Sequence, residues 1–275
     1  MIGETLILSA RALKKWIRNP AAVVPGLVTS IFYIALFGSS FNPSNLVPPG
    51  VPSSAILGLV FQGAPTYITY LTAGVICLIL VFNMAFGGID LVLDRQLGFL
   101  NTLLTAPIPR AAIFLSGVVQ NLVKAMFLAV LTFLIALVIP NGLELPSSFG
   151  VLQFLGVFLA FALLGLGLSS VFTAIALTVR SIDSLVAIVN FLTLPLIFMS
   201  NALFPSSSFP TWLRDVATVN PITKTNEAAR ILIINGNLSS SQLSTYAGDL
   251  VYLVVFVVIF ALIGYLASRR ALNAQ

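Results

Sequence analysis

The segment LDRQLGFLNTLLTAPIPR, residues 93–110, decides the interpretation of this chain. It connects two long apolar runs, carries charge at both ends and is closed by two prolines. Leu97, Leu100 and Leu104 recur at helical spacing, and Asp94 stands where a carboxylate caps a helix start and suits the helix dipole. The pattern predicts a short amphipathic helix, stopped by the prolines, inside a connecting loop.

The leucine face of this segment needs a cover. Burying one leucine side chain is worth about 1.5–3 kcal/mol, so water is an unfavourable neighbour for such a face. The sequence allows three surfaces to bury the leucine face: the membrane surface, other helices of the chain, or a partner protein.

The composition of the chain predicts an all-α integral membrane protein. Of its 275 residues, 59% are hydrophobic and only 8% are charged, whereas roughly a quarter of an ordinary soluble chain is charged. A net charge of +5 suggests a nucleic-acid partner in a soluble protein, but in a membrane protein the cations report topology instead. No nucleic-acid partner is predicted.

Six runs are apolar enough to cross a bilayer, which takes about 20 residues. Backbone in lipid has no water to bond, so each run is predicted to be a helix. The whole chain, residues 1–275, is predicted to form a single transmembrane domain. The predicted spans are residues 22–40, 67–93, 111–139, 150–179, 184–204 and 250–268.

The distribution of cations predicts the orientation of these spans. An even number of spans puts both termini on one side, and that side holds nine of the thirteen Lys and Arg residues. The positive-inside rule therefore predicts that both termini and the 93–110 segment are cytoplasmic, in a multi-pass plasma (inner) membrane protein. The nine are Arg11, Lys14, Lys15, Arg18, Arg95, Arg110, Arg180, Arg269 and Arg270.

The first twenty residues are predicted to form an amphipathic helix in the cytoplasmic interface. Leu6, Ala10, Leu13 and Ile17 recur at helical spacing, and the basic residues of this region fall on a neighbouring face. A disordered basic leader is the alternative, and it satisfies the positive-inside rule equally well.

The outer loop, residues 205–249, contains two short helical patterns at 211–219 and 221–234, which Asn220-Pro221 separates. Each is too short to span, and Trp212 suits an interface anchor. The pair is predicted to form a re-entrant dip into the outer leaflet. Two surface helices lying flat are the alternative.

Several catalytic chemistries are disfavoured. The chain has no histidine, the commonest general base and metal ligand, and its single cysteine, Cys77, lies within an apolar run. No lysine follows the Gly-Lys-Ser/Thr pattern of a phosphate-binding loop. We therefore predict no metal site, no nucleotide site and no catalytic residue on this chain.

The chain resembles the permease subunits of type-2 ATP-binding-cassette exporters over nearly its whole length. One motif follows the second span and the other precedes the last span, and the two together are more specific than either alone. The family more often has Glu where this chain has Asp94. The matching residues are Asp94, Arg95, Gly98, Leu103, Leu104 and Pro107 in the first motif, and Asn220, Pro221, Glu227 and Arg230 in the second.

This resemblance implies an architecture and partners. Residues 96–105, with Phe99 and Leu100, would be a coupling helix that docks on a separate ATPase subunit, within the cytosolic loop 94–110. The long outer loop would be the family's re-entrant pair. The family works as a dimer of six-span subunits in the lipid bilayer, and ATP and Mg²⁺ are bound by the ATPase, so this chain would carry no cofactor.

Polar residues inside the runs form a second candidate site. Intramembrane charge costs about 2.5–3.5 kcal/mol on insertion scales, which singles out Asp90 and Lys124. Helical side chains lean toward their own N-terminus, so these two lean toward each other and are predicted to pair or to share a water-filled pocket. Asn83 shares a helix face with Asp90, and Gln120 shares one with Lys124. These amides either line a polar path or form hydrogen bonds between helices, and we favour hydrogen bonding.

These features favour one of three functions. The favoured one is the permease half of an ATP-driven exporter whose cargo is amphipathic: a drug, lipid, glycolipid or polysaccharide. The alternative is an ion-coupled secondary transporter with Lys124 and Asp90 as coupling site, which predicts a repeat between chain halves that the sequence lacks. An intramembrane enzyme is the least favoured.

Overall fold

A computed structural model of the chain describes residues 2–40, 61–99, 105, 108–140 and 142–273. The described residues form helices and connecting turns without strand, which confirms the all-α class. A 3₁₀ turn at Ser206–Ser208 precedes α8. The helices are α1 Ile2–Ile17, α2 Pro20–Ser40, α3 Tyr67–Phe86, α4 Ile89–Gln96, α5 Arg110–Val138, α6 Val151–Thr178, α7 Ile182–Phe198, α8 Thr211–Thr218, α9 Pro221–Asn235 and α10 Ser240–Asn273.

Four stretches of the described chain are long and apolar enough to cross a membrane by length and composition. Two further apolar helices, Gly26–Leu36 and Ile182–Phe198, are shorter than that criterion. Four of the six predicted spans therefore correspond to helices of membrane-spanning length, and the six-span topology stays a prediction. The four stretches are Tyr67–Gln96, Arg110–Val138, Val151–Thr178 and Ser240–Ala271.

The second apolar run is not one regular helix, contrary to the prediction. α3 ends at Phe86, and α4 begins only after a turn at Gly87 and Gly88. Neighbouring helices occupy the space that side chains would need there: a Cβ on Gly87 would lie 2.5 Å from Asn121 Oδ1, and one on Gly88 would lie 2.6 Å from the Cβ of Ala176. The two glycines thus let α5 and α6 approach the turn closely.

The fifth apolar run also differs from its prediction. Its helix, α7, ends at Phe198, whereas the prediction extended it to residue 204. Ser200 Oγ donates to the carbonyl of Ile197 at 2.6 Å, and the polar pair Ser200-Asn201 starts an irregular stretch over residues 199–204. Local side-chain hydrogen bonds of this kind compete with helix continuation.

Small residues allow α6 to pack closely on its neighbours, as the sequence predicts. The position of a Cβ on Gly167 would overlap the ring of Phe256 in α10, at 2.3 Å. A Cβ on Gly264 of α10 would lie 2.7 Å from the carbonyl oxygen of Ser170. In contrast, large apolar side chains on α2, α7 and α10 stay exposed, which suits contact with lipid.

The register between α3 and the antiparallel α5 is marked by a contact at each end. At one end, Glu144 N donates to Thr69 Oγ1 at 3.0 Å; at the other, Gly87 touches Asn121. The 20 residues of α3 cover about 30 Å, a length similar to the thickness of a bilayer core. Residues 110–120 of α5 extend past the end of α3 at Gly87, where α4 and α1 pack.

Candidate functional site

The segment between α4 and α5 begins with a sharp turn. α4 ends at Gln96, Leu97 is 80% exposed, and Gly98 has a φ of +78°, a left-handed conformation that suits glycine. The prediction of one helix over residues 96–105 is therefore wrong at its start, and Asp94 lies inside α4 instead of capping a helix. Leu100, Leu103, Leu104 and Pro107 lie outside the described residues.

Arg95 anchors α4 to the end of α6. Its guanidinium donates to the carbonyls of Leu177 and Val179, and Gln96 Nε2 donates to the carbonyl of Arg180 at 3.4 Å. The last carbonyls of a helix have no partner within it, and a cation there also suits the helix dipole. Arg95 thus connects α4 to the end of α6, which the sequence motif alone does not reveal.

The other side of the segment is held by α1. The guanidinium of Arg11 stacks over the ring of Phe99, 3.7 Å from its centroid. Trp16 of α1 meets Phe127 of α5 edge to face, with centroids 5.6 Å apart. Since α1 contacts both α5 and the segment, the segment lies between two elements that are fixed to the spans.

The two intramembrane charges that the sequence pairs are in contact. Lys124 Nζ lies 3.0 Å from Asp90 Oδ2, and Lys15 of α1 approaches the other carboxylate oxygen at 3.7 Å. The side chain of Lys124 is 9% exposed and that of Asp90 is 42% exposed. The pair lies beside the Gly87-Gly88 turn at the end of α3, not at the middle of that helix.

The two predicted amides behave differently from each other. Asn83 Nδ2 donates to the carbonyl of Ile79 at 2.8 Å, so its hydrogen bond lies within its own helix and not between helices. Gln120 is 5% exposed, and its Oε1 has no hydrogen-bond partner among the described residues. Gln120 lines a cavity together with Asp90.

At the opposite end, Arg230 is a buried cation held by backbone. It is 1% exposed and donates to the carbonyls of Tyr70, Asn201 and Ala202 at 3.0, 3.0 and 3.1 Å. Its guanidinium also stacks on the Tyr70 ring, 3.5 Å from the centroid. Two of these carbonyls belong to the irregular stretch after α7, so Arg230 satisfies backbone groups that no helix pairs.

Asn220 joins the end of α7 to the start of α9. Its Oδ1 accepts from the backbone N–H of Ile222, and its Nδ2 donates to the carbonyls of Leu196 and Met199 at 2.8 and 3.0 Å. One amide therefore caps two helix ends at once, and Pro221 follows at the first position of α9, where a missing N–H costs nothing.

A polar cluster surrounds α9. Asn201 Nδ2 donates to Glu227 Oε1 at 3.4 Å, and Lys224 lies 3.4 Å from Glu227 and 3.2 Å from Asp249 of α10. Burial raises the pKa of Glu227, which Lys224 partly opposes. Burial lowers the pKa of Lys224, but Glu227 and Asp249 outweigh it and raise the pKa overall. Sequence reasoning named Glu227 but missed Asn201 and Asp249, although both are polar residues at the edge of an apolar run.

Apolar side chains are exposed on α8 and α1. Trp212 of α8 is 61% exposed, as an interface anchor would be. On α1, Leu6 and Ile17 are 59% and 69% exposed, while Thr5 and Ser9 are buried toward the protein. The apolar face of α1 therefore points away from the bundle, where an interfacial helix meets lipid.

The described residues therefore form a bundle of apolar helices with a braced turn at one end and a buried polar cluster at the other. The chain belongs to the ABC-2 type transporter family, whose membrane domain matches residues 3–234. Family membership makes it a membrane-embedded permease of an ABC transporter, a transport subunit rather than an enzyme, and implies an ATPase partner.

Named relatives agree with this assignment. The chain is 28% identical to the ycf38 transport permease of Cyanophora paradoxa over an alignment that covers 99% of this chain and 90% of the relative. It is 26% identical to the ycf38 permease of Pyropia yezoensis, over 95% and 85%. It is 24% identical to the doxorubicin resistance ABC transporter permease protein DrrC of Mycobacterium tuberculosis, over 98% and 90%.

Proposed function

We propose that this chain is the permease of an ATP-driven exporter and that residues 94–110 receive a separate ATPase subunit. The observation that carries the proposal is the turn at Leu97-Gly98, which projects an exposed leucine from a segment fixed to α6 by Arg95 and to α1 by Arg11. Force applied to such a turn is passed to the spans, because neither anchor is a flexible loop.

The proposed assembly has two permease copies and two ATPase subunits in the inner membrane, with both termini of this chain cytoplasmic. ATP and Mg²⁺ are bound by the ATPase and not by this chain. The exposed apolar faces of α2, α7 and α10 leave room for a second copy beside lipid. α8 and α9 form the re-entrant pair, since Arg230 satisfies irregular backbone at a depth where lipid offers no hydrogen bonds.

The proposed cargo is amphipathic: a drug, a lipid, a glycolipid or a lipid-linked polysaccharide. Support comes from the scarcity of charge along the apolar faces and from the relative named for doxorubicin resistance. The ion-coupled alternative is weaker, because Lys124 and Lys15 both lie at Asp90 and leave that carboxylate already paired.

Co-purification tests the docking proposal. The tagged full-length chain is extracted in mild detergent from its native membrane, and the recovered partners are identified by mass spectrometry. The wild type is expected to bring an ATPase subunit along. Leu97→Asp is expected to reduce its recovery by about tenfold, since a desolvated carboxylate opposes apolar docking.

The matched control is Leu243→Asp, which makes the same change on an exposed leucine of α10 at the other end of the molecule. It is expected to retain the ATPase. Undiminished recovery with Leu97→Asp and with a Leu100→Asp, Leu104→Asp double variant would refute docking on this segment. Absence of any ATPase from the wild type would refute the ATP-driven proposal.

A further inference from the structure

We propose that a cavity between α1, α4 and α5 binds the phosphodiester headgroup of a glycerophospholipid from the cytosolic leaflet, one whose headgroup carries an O–H or N–H donor. This goes beyond the transport function. The cavity has a volume of about 100 Å³, which admits a headgroup but not acyl chains. Its polar lining comprises Arg11, Lys15, Asn19, Asp90, Asp94, Ser116 and Gln120.

The charges that line the cavity are not balanced. Lys124 lies behind Asp90 at 3.0 Å and neutralises it. Two cations, Arg11 and Lys15, then face one remaining carboxylate, Asp94, which leaves one net positive charge. A phosphodiester carries one negative charge, so it matches this lining without the excess charge of a phosphate monoester.

Three side chains of the cavity, those of Arg11, Asp94 and Gln120, also have unused hydrogen-bonding groups. Arg11 stacks on Phe99 and makes no hydrogen bond within the described residues, so its N–H groups are free to donate to phosphate oxygens. Gln120 is 5% exposed, yet its Oε1 has no partner, and a buried polar atom without a partner costs free energy. Asp94 likewise accepts no hydrogen bond from the described residues. A phosphate would accept hydrogen bonds from Arg11, and an O–H or N–H of the headgroup would donate to Gln120 Oε1 or to Asp94.

The location of the cavity favours a lipid as the source of the phosphate. The cavity lies beside the Gly87-Gly88 turn that ends α3. Since the 20 residues of α3 cover about 30 Å, the thickness of a hydrocarbon core, the end of α3 corresponds in length to the edge of that core. Leu6, Ile7 and Ile17 of α1 are 59%, 71% and 69% exposed on the side away from the bundle, as expected of a helix whose apolar face meets acyl chains. Lipid phosphates lie at the same level.

Fluorescence of Trp16, which lines the cavity, measures the binding. The chain has two tryptophans, so Trp212→Phe leaves Trp16 as the only reporter. Delipidated full-length protein is titrated with dihexanoylphosphatidylglycerol below its micellar concentration. A saturable change is expected, and Lys15→Gln is expected to weaken the apparent Kd by about tenfold, in the range of one lost charge-assisted contact.

Lys14→Gln is the matched control, because Lys14 adjoins Lys15 and is likewise exposed but does not line the cavity. It is expected to leave the Kd within about twofold, since it removes only a screened surface charge. Equal losses in the two variants would overturn the site in favour of general attraction to a basic helix. Absence of a saturable change in the Trp212→Phe protein would overturn it outright.

The ligand series separates the sources of the phosphate. Dihexanoylphosphatidylethanolamine is expected to bind like the glycerol lipid, and dihexanoylphosphatidylcholine, which lacks a headgroup donor, more weakly. Gln120→Leu is expected to abolish that preference. Inorganic phosphate binding as tightly as the lipids would overturn the lipid assignment. No ATPase or transport enters this experiment, so its failure is distinct from failure of the proposed function.

Discussion

A single guanidinium, that of Arg230, donates to three backbone carbonyls at the end of the bundle opposite to the 94–110 segment. The carbonyl of Asn201 also accepts from the Tyr70 hydroxyl, and that of Tyr70 lies within α3, so the carbonyl of Ala202 is the one that loses its donor outright, at about 1–3 kcal/mol for a buried group left unsatisfied. Arg230→Met is therefore expected to lower the free energy of unfolding by about 1–3 kcal/mol. Arg230→Lys, which keeps the charge but not the planar fork, should recover only part of this.

Cys77 supplies the measurement for Arg230. It is the single cysteine and is buried, so a thiol-reactive fluorogenic dye reports thermal unfolding of the detergent-solubilised protein. Arg214→Gln is the control, because Arg214 is exposed on α8. An unfolding temperature for Arg230→Met equal to that of Arg214→Gln would contradict the role given to Arg230.

The pair of Asp90 and Lys124 is expected to be asymmetric. Asp90→Asn leaves Lys124 buried without a counter-ion, whereas Lys124→Met leaves Asp90 with Lys15 and with solvent. The first change is expected to destabilise by about 1–3 kcal/mol, discounted because the carboxylate is partly exposed, and the second by less. The double variant should exceed Asp90→Asn in stability. The same thiol assay measures the unfolding temperatures of the three variants. Equal unfolding temperatures for the two single variants, with no gain in the double variant, would refute the pair.

At this scale the sequence predicts contacts that follow from helix geometry and misses those made to backbone. The lean of side chains along a helix is a local property, so it predicted that Asp90 and Lys124 meet. The partners of Arg95 and Arg230 are carbonyls at helix ends and in an irregular stretch. A sequence carries no pattern for a free carbonyl, so both arginines were identified only as members of a motif.

Breaks within the apolar runs connect the elements. The turn at Gly87-Gly88 lets α4 leave the axis of α3 and approach α6, where Arg95 anchors it. Hydropathy predicted the runs because most of their residues are apolar, and it could not predict the breaks because a few small or polar residues barely change the average over a run. The break after α3 depends on Asn121 and Ala176, which are distant in sequence.

Gly88→Ala tests this packing without changing the backbone, since Gly88 has ordinary right-handed dihedral angles. The new Cβ would lie 2.6 Å from the Cβ of Ala176, and overpacking of this kind typically costs about 1–3 kcal/mol. Adding Ala176→Gly removes the clash and is expected to restore part of the stability, less the cost of about 1 kcal/mol for a helical glycine.

Thermal unfolding measures how much stability the Gly88 variants lose. ATPase co-purification measures whether the segment after α4 still docks. Gly248→Ala is the matched control, because no atom lies within 4 Å of its Cβ position, and it is expected to be neutral or slightly stabilising. A Gly88→Ala protein as stable as Gly248→Ala would mean that α4 and α6 do not pack as closely as the structure has them.

The whole molecule has two polar ends joined by an apolar bundle. α1, α4 and the start of α5 form one end, with the paired charges and the 94–110 segment. α8, α9 and the polar cluster around Arg230 form the other. Charge and proline placement point to both ends in the sequence, but the sequence could not predict that one span, α3, contacts both: Gly87 at one end, and Tyr70 with the carbonyl of Ala202 near Gly74 at the other.

Cysteine labelling decides which end is cytoplasmic. In a Cys77→Ala background, Lys14→Cys and Arg270→Cys mark the end that holds most of the cations, and Ser147→Cys and Asn237→Cys mark the other; all four positions are exposed. Because Lys and Arg are retained on the cytoplasmic side during insertion, a membrane-impermeant maleimide is expected to label only the latter two in intact cells and all four after permeabilisation. Labelling of Lys14→Cys in intact cells would mean that the orientation is opposite to the predicted one. The 94–110 segment would then be out of reach of any cytosolic ATPase.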